Sequence, residues 1–123
     1  MKFSLEPAAG TYLIRGYSDS ELRIGAERVT GSCLVSSEQL ITTWGPASFG
    51  ELGIEHLAPL FALAPELVLI GTGPRQQFAP PALRAEFLRR GIGLEVMQLG
   101  AACRTFNVLV QEGRRVVAAL FLR

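Results

Sequence analysis

Residues 67–75 carry the strongest chemical signal. There Leu67, Val68, Leu69 and Ile70 stop abruptly at Gly71-Thr72-Gly73, and Pro74-Arg75 follows. A short apolar run ending in this way is the pattern of a buried parallel strand entering a tight loop. In open α/β sheets that carboxyl end is where ligands bind. Arg75 would add a permanent cation, so the matching chemistry is capture of a small anion or polar group. The loop is neither of the two familiar phosphate cradles. A P-loop needs Gly-Lys-Ser/Thr opening a helix, and a dinucleotide fingerprint needs a third glycine where Gln76 stands. Two readings stay open: the glycines only turn the chain, or their backbone approaches a ligand.

A second candidate begins at Gly100. Met97 ends an apolar strand-like run, and Gly100-Ala101-Ala102 open a helical one, so unpaired N–H groups there could face an anion. Cys103, in the first turn beside Arg104, is positioned for a lowered thiol pKa. The competing reading makes it a small buried hydrophobe. Leu99 cannot cap the helix as a hydroxyl residue would. Asn107 suits a helix interior poorly, so its amide either satisfies a buried backbone group or lines the pocket. The binding hypothesis therefore names Gly71, Thr72, Gly73, Arg75, Gly100, Ala101, Ala102, Cys103, Arg104 and Asn107, with no catalytic and no metal residue assigned.

Catalysis has little to build on. His56 is the one histidine, so a histidine triad or histidine-based metal site would hang on it alone; a helix-surface residue is the plainer reading. Cys33 and Cys103 stand at neither metal nor redox spacing, and no cofactor is implied. Twelve Lys and Arg balance eleven Asp and Glu for a formal net charge of +1, which gives no support to nucleic-acid binding. No run approaches the roughly 18 apolar residues of a membrane helix, so the chain is not expected to be an integral membrane protein. Phe3-Ser4-Leu5 and the residues after them lack the layout of a secretory leader. The expectation is a cytoplasmic protein.

These candidates must be held by a particular order of elements. Residues 12–17, 21–24, 28–35 and 40–44 read as short strands, with turns at Asp19-Ser20 and Gly25-Ala26, and Gly45-Pro46 closes this β-rich start. Residues 52–63 show helical spacing through Leu57, Leu60 and Phe61, stopped by Pro65. Residues 66–71 form the strand described above. Pro80-Pro81 open a helix whose inner stripe is Leu83, Phe87 and Leu88, and Arg89-Arg90-Gly91 close it. A strand at 94–97, a helix at 100–111 stopped by Gly113, and an unbroken apolar strand at 116–122 complete the chain. The alternation predicts one α/β domain over 1–123, in three layers with an added N-terminal β-hairpin layer.

The combination of Leu69-Ile70-Gly71-Thr72-Gly73, Gly91-Ile92 ahead of Glu95-Val96-Met97, and residues 101–109 leading to Glu112-Gly113-Arg114 resembles one family. Trp44 after the β-rich start fits the same pattern. It is the domain-of-unknown-function family that includes the mitochondrial complex I assembly factor 3, and this chain looks like a bacterial member. The resemblance implies a compact α/β/α domain with a mixed central sheet, helices on both of its faces and an extra β layer. For the mitochondrial relatives it implies a non-catalytic role in building respiratory complex I; for bacterial relatives of this size it implies no assigned activity. Leu99 and Phe106 depart from the threonine and tyrosine of many relatives.

Two functions emerge as expectations. The first is a non-enzymatic partner-binding or assembly module whose partner is another protein. The alternative is a small-ligand or anion-binding protein or enzyme using a pocket between the Gly71–Gly73 loop and the Gly100 helix start. The apolar share of 49% is high for 123 residues, and so small a domain exposes much of its surface. Apolar side chains left in solvent would mark an interface and allow self-association. The loose alternation of Tyr12, Leu13, Ile14 and Tyr17 places that surface in the β-rich start.

Overall fold

A computed structural model describes residues 10–123; the expectation drawn from Phe3-Ser4-Leu5 lies outside them. Three short strands, β1 (Ile14–Tyr17), β2 (Leu22–Ile24) and β3 (Glu27–Val29), make an antiparallel sheet in that order. Five more strands make the main sheet: β4 (Cys33–Val35), β5 (Leu40–Ile41), β6 (Leu67–Thr72), β7 (Gly93–Met97) and β8 (Val116–Phe121). Their order is β5-β4-β8-β6-β7. β6 runs parallel to both β7 and β8, whereas β4 runs antiparallel to β8. β6 and β8 are therefore interior, and every residue of each is buried. This is what an unbroken apolar run requires, since a strand covered on both faces has no solvated side to mark with polar residues.

Strand alternation divides the core in two. On one face Leu67, Leu69, Ala118 and Leu120 pack with α3 (Leu99–Gln111) and with Ile14, Leu22 and Ile24 of the small sheet. On the other, Val68, Ile70, Val117 and Phe121 pack with α2 (Pro81–Arg90), α1 (Ala58–Phe61) and the segment carrying Trp44 and Phe49. The chain leaves β6 through α2 to reach β7, then returns through α3 to β8 on the other side of β6. Because such crossovers are right-handed, reversing direction puts the two helices on opposite faces. The result is a mixed central sheet with helices on both faces and an added β layer, as the sequence and its family resemblance predict.

Helix ends follow their local chemistry. α2 starts at Pro81, where a missing N–H costs nothing, and Gly91 at φ 68° caps its end behind Arg89 and Arg90. Four local expectations need correction. Residues 28–35 are not one strand: the chain breaks at Gly31-Ser32, so β3 joins the small sheet and β4 the main one. The strand expected over 40–44 covers only Leu40–Ile41. Residues 52–63 hold a 3₁₀ turn at Ile54–His56 and the single turn of α1, because Gly53 and Pro59 interrupt a continuous helix. Leu88 does not belong to the inner stripe of α2; it is 83% exposed.

The apolar residues of the β-rich start also turn inward. Leu13 and Ile14 are buried, and Tyr12 and Tyr17 pack against the same core cluster. The large apolar side chains that remain in solvent among the described residues are Ile54, Phe78, Leu88 and Val108. Three of these four belong to segments around α2 rather than to the small sheet.

Candidate functional site

β6 and β7 end side by side, with Gly71 opposite Met97. The chain leaves β6 toward α2 on one face and leaves β7 into α3 on the other, so their carboxyl ends form the switch point of the sheet. Gly71 is needed there for close approach: a Cβ would lie 3.1 Å from both Ala102 Cβ and Leu120 Cδ2. Gly73 takes φ +95°, a conformation that disfavours other residues. Its carbonyl accepts the Leu99 N–H at 2.9 Å, tying the loop directly to the start of α3. Thr72, fully buried, organises the rest. Its hydroxyl donates to the Arg75 carbonyl at 2.6 Å and accepts the Gln77 N–H at 3.2 Å.

The first turn of α3 is capped, but by Gln98 rather than Leu99. Gln98 supplies its side-chain Oε1 to the Ala101 N–H at 3.1 Å, and its carbonyl accepts the Ala102 N–H at 3.0 Å. Tyr17, from β1, lays its hydroxyl over Gly100, and Arg104 Nη1 donates to that hydroxyl at 3.2 Å. A cavity of about 170 Å³ remains beside this cluster, lined by Tyr17, Asp19, Pro74, Gln98 and Leu99 among others. The Gly71–Gly73 loop thus meets the start of α3 through Leu99 and Ala102. None of the ten residues of the binding hypothesis lines that cavity, and Arg75 is exposed in solvent. A guest there would meet a phenol, a carboxylate and an amide.

Cys103 and Asn107 face the interior instead. Both thiols, Cys33 and Cys103, are buried among apolar side chains, and desolvation pushes each up from 9.0 to about 12. For Cys103 the thiol of Cys33 raises it further, and Arg104 opposes only weakly. The helix-start environment therefore does not lower the Cys103 thiol; burial decides the direction. The fold also brings together two cysteines that stand 70 positions apart in sequence, a proximity that spacing rules cannot detect. Asn107, 3% exposed, accepts the Ile14 N–H and donates to the Ile14 carbonyl, each at 2.8 Å. It joins α3 to β1, satisfying a buried backbone residue.

His56 ends a 3₁₀ turn, half-buried, with Nδ1 accepting the Gly53 N–H at 2.9 Å. Its carbonyl receives the indole N–H of Trp44 at 2.8 Å. These bonds give both residues a structural task. Among the described residues no group of three or more His, Cys, Asp or Glu is arranged to hold a metal ion. Tyr17 and Gln98 are not marked as site residues by the sequence. Glutamine is an infrequent cap and Tyr17 sits 83 positions from Gly100, so only the turn signals around Asp19 hint at that corner.

The family described as a protein of unknown function (DUF498/DUF598) matches residues 14–121. This chain belongs to that family. The NADH dehydrogenase (ubiquinone) 1 alpha subcomplex assembly factor 3 of Danio rerio is 34% identical over 117 residues, covering 94% of the chain and 66% of that protein. The chain thus spans just under two thirds of that relative's length. An uncharacterised protein of Rhodobacter capsulatus is 36% identical over 114 residues, covering 91% of the chain and 86% of the relative. A crystal structure of a Bordetella parapertussis protein superposes with a TM-score of 0.85 at 33% identity, covering 94% and 98% of the two chains. No helix among the described residues is long and apolar enough to cross a membrane.

Proposed function

We propose that this DUF498/DUF598 family member is a non-enzymatic partner-binding module that serves the assembly of a larger protein complex. The observation that carries this reading is similarity over nearly the whole chain to proteins named as assembly factors of an NADH dehydrogenase. Exposed apolar side chains support it, because Phe78 and Leu88 are each 83% in solvent and such groups are favoured at protein contacts. By the same similarity, the complex to examine first is a respiratory NADH dehydrogenase.

The test is a deletion strain whose membrane complexes are resolved by native electrophoresis. Loss of the mature NADH dehydrogenase with accumulation of partial assemblies, restored by the parent chain, is the expected result. Unchanged complexes in the deletion strain refute this choice of complex, and a parent chain that enters no assembly at all refutes the partner-binding reading.

A small-ligand role for Gly71, Thr72, Gly73, Arg75 and the Gly100 start is the second reading, supported by the 170 Å³ cavity that their chain neighbours Pro74 and Leu99 line. Thermal shifts with phosphate, sulfate and carboxylates, comparing the parent with Arg75→Ala, test it. Equal response, or none, removes Arg75 from that role.

A further inference from the structure

The main sheet ends in two very different edges. β5, at one side, is two residues long, and shortness is one of the ways proteins blunt an edge. β7, at the other, is five residues long and contains no proline or lysine. Gly93 donates its N–H to Glu66 at the foot of β6. By the alternation of a strand, Glu95 and Met97 also face β6, while Leu94 and Val96 turn their backbone groups outward. Among the described residues these outward groups receive one contact, from the Gln76 side chain to the Val96 carbonyl at 3.4 Å. That distance is long for a hydrogen bond.

Beside this edge runs a groove of about 540 Å³ between α2 and β7, with Pro81, Leu88, Ile92 and Leu94 in its walls. The rim is cationic. Arg84 lines the groove, and neither it nor Arg75, in the loop that reaches the edge through Gln76, has an ion-pair partner among the described residues. Glu95 lies on the opposite face from Leu94 and Val96, so it does not neutralise this side.

We propose that the β7 edge takes an extended segment of a partner protein as a sixth strand, with alternate apolar side chains in the α2–β7 groove and acidic residues flanking them. This rests on the partner-binding reading above and specifies its surface. Strand addition draws affinity from main-chain hydrogen bonds and selectivity from pockets for every second side chain. The edge supplies the first and the groove the second. Arg75 and Arg84 select acidic over basic flanks by charge complementarity.

The probe is an end-blocked peptide, Asp-Glu-Val-Thr-Leu-Thr-Asp-Glu, titrated into the isotope-labelled full chain. At saturation the Leu94 and Val96 amides should exchange at least tenfold more slowly. A lysine-flanked peptide should bind at least tenfold more weakly, and Arg84→Glu should narrow that difference. Leu88→Asp, at a position too exposed to threaten folding, should weaken the acidic peptide at least tenfold. Unchanged exchange at Leu94 and Val96, or equal affinity in Leu88→Asp, overturns the proposal. So does protection of these amides without peptide, whether in dilute chain or rising with protein concentration, the latter making a second copy the occupant. A Leu88→Asp chain that still enters its native assembly refutes this surface alone, whereas a parent chain that enters none refutes the broader reading.

Discussion

Replacing Asn107 by leucine should detach the small sheet from the main body at one point. The side chains are close in volume, so packing changes little, but two hydrogen bonds of 2.8 Å to Ile14 disappear. Ile14 is fully buried, so its N–H and carbonyl cannot turn to water. Each orphaned group costs about 1–3 kcal/mol, giving about 2–6 kcal/mol together, a large part of the 5–15 kcal/mol typical of a domain. Urea unfolding followed by the fluorescence of Trp44, whose ring lies 5.4 Å from that of Phe121, measures the loss. Amide exchange at Ile14 shows whether the damage is local. Asn107→Asp refines the test, since it keeps the acceptor and replaces the donor. Burial raises such a carboxyl above its unfolded value of about 3.9. Its penalty is then absent below that pH, where both states are protonated, and grows as pH rises toward the folded pKa. A leucine variant within 1 kcal/mol of the parent, with Ile14 exchange unaltered, would refute the claim that Asn107 holds β1 to α3.

Three further outcomes rest on buried groups elsewhere. Val117→Asp or Leu120→Asp, in the interior of β8, should cost several kcal/mol through an unpaired buried charge, and denaturant midpoints equal to the parent's would remove β8 from the centre of the sheet. Thr72→Val should cost about 1–3 kcal/mol and speed exchange at the Gln77 amide, because the hydroxyl joining Arg75 and Gln77 is lost; an unchanged Gln77 rate contradicts this. Cys33 and Cys103, raised to about 12 by burial, should resist iodoacetamide at pH 8.5 in the folded chain and react in urea. Both states keep neutral thiols below about pH 9, so stability should be level there with respect to these groups and decline toward pH 12 as the unfolded thiols alone ionise; rapid labelling of native protein would contradict the burial.

What the sequence discloses depends on whether the deciding contact is local. β6 and β8 are legible because full burial erases polar residues from both strand faces, and α2 because Pro81 and Gly91 mark its ends within the chain itself. Residues 28–35 are misread because β propensity cannot say which sheet a residue joins, and the break at Gly31-Ser32 looks like any glycine in a strand. Residues 52–63 mislead because Leu57 and Leu60 are buried at helical spacing although only a 3₁₀ turn and one α-helical turn form between Gly53 and Pro65. Within the candidate site, the meeting of Gly71–Gly73 with the Gly100 start is foreseeable from parallel topology. Tyr17 over Gly100, Cys33 near Cys103 and Asn107 on Ile14 join elements 70 to 93 positions apart, and no spacing rule reaches that far. Leu88 is different: it succeeds Phe87 by 100° around the helix, so its outward position is available from helical geometry alone.

The two faces of the sheet explain where the apolar surplus goes. One is closed by the thirteen residues of α3 and by the small sheet, which Asn107 fixes in place. The other is closed by the ten residues of α2, a single-turn helix and 3₁₀ turns. Short irregular segments cover apolar surface less completely than a long helix and a sheet do. Accordingly Leu88 and Ile54 stand out from elements of the second face, and Phe78 stands in the loop leading into α2. β7, the long unblunted edge, borders that same side. An interaction surface on this domain is therefore to be sought beside α2, where incomplete cover and unpaired backbone coincide, rather than on the small sheet, whose apolar side chains are already engaged in the core.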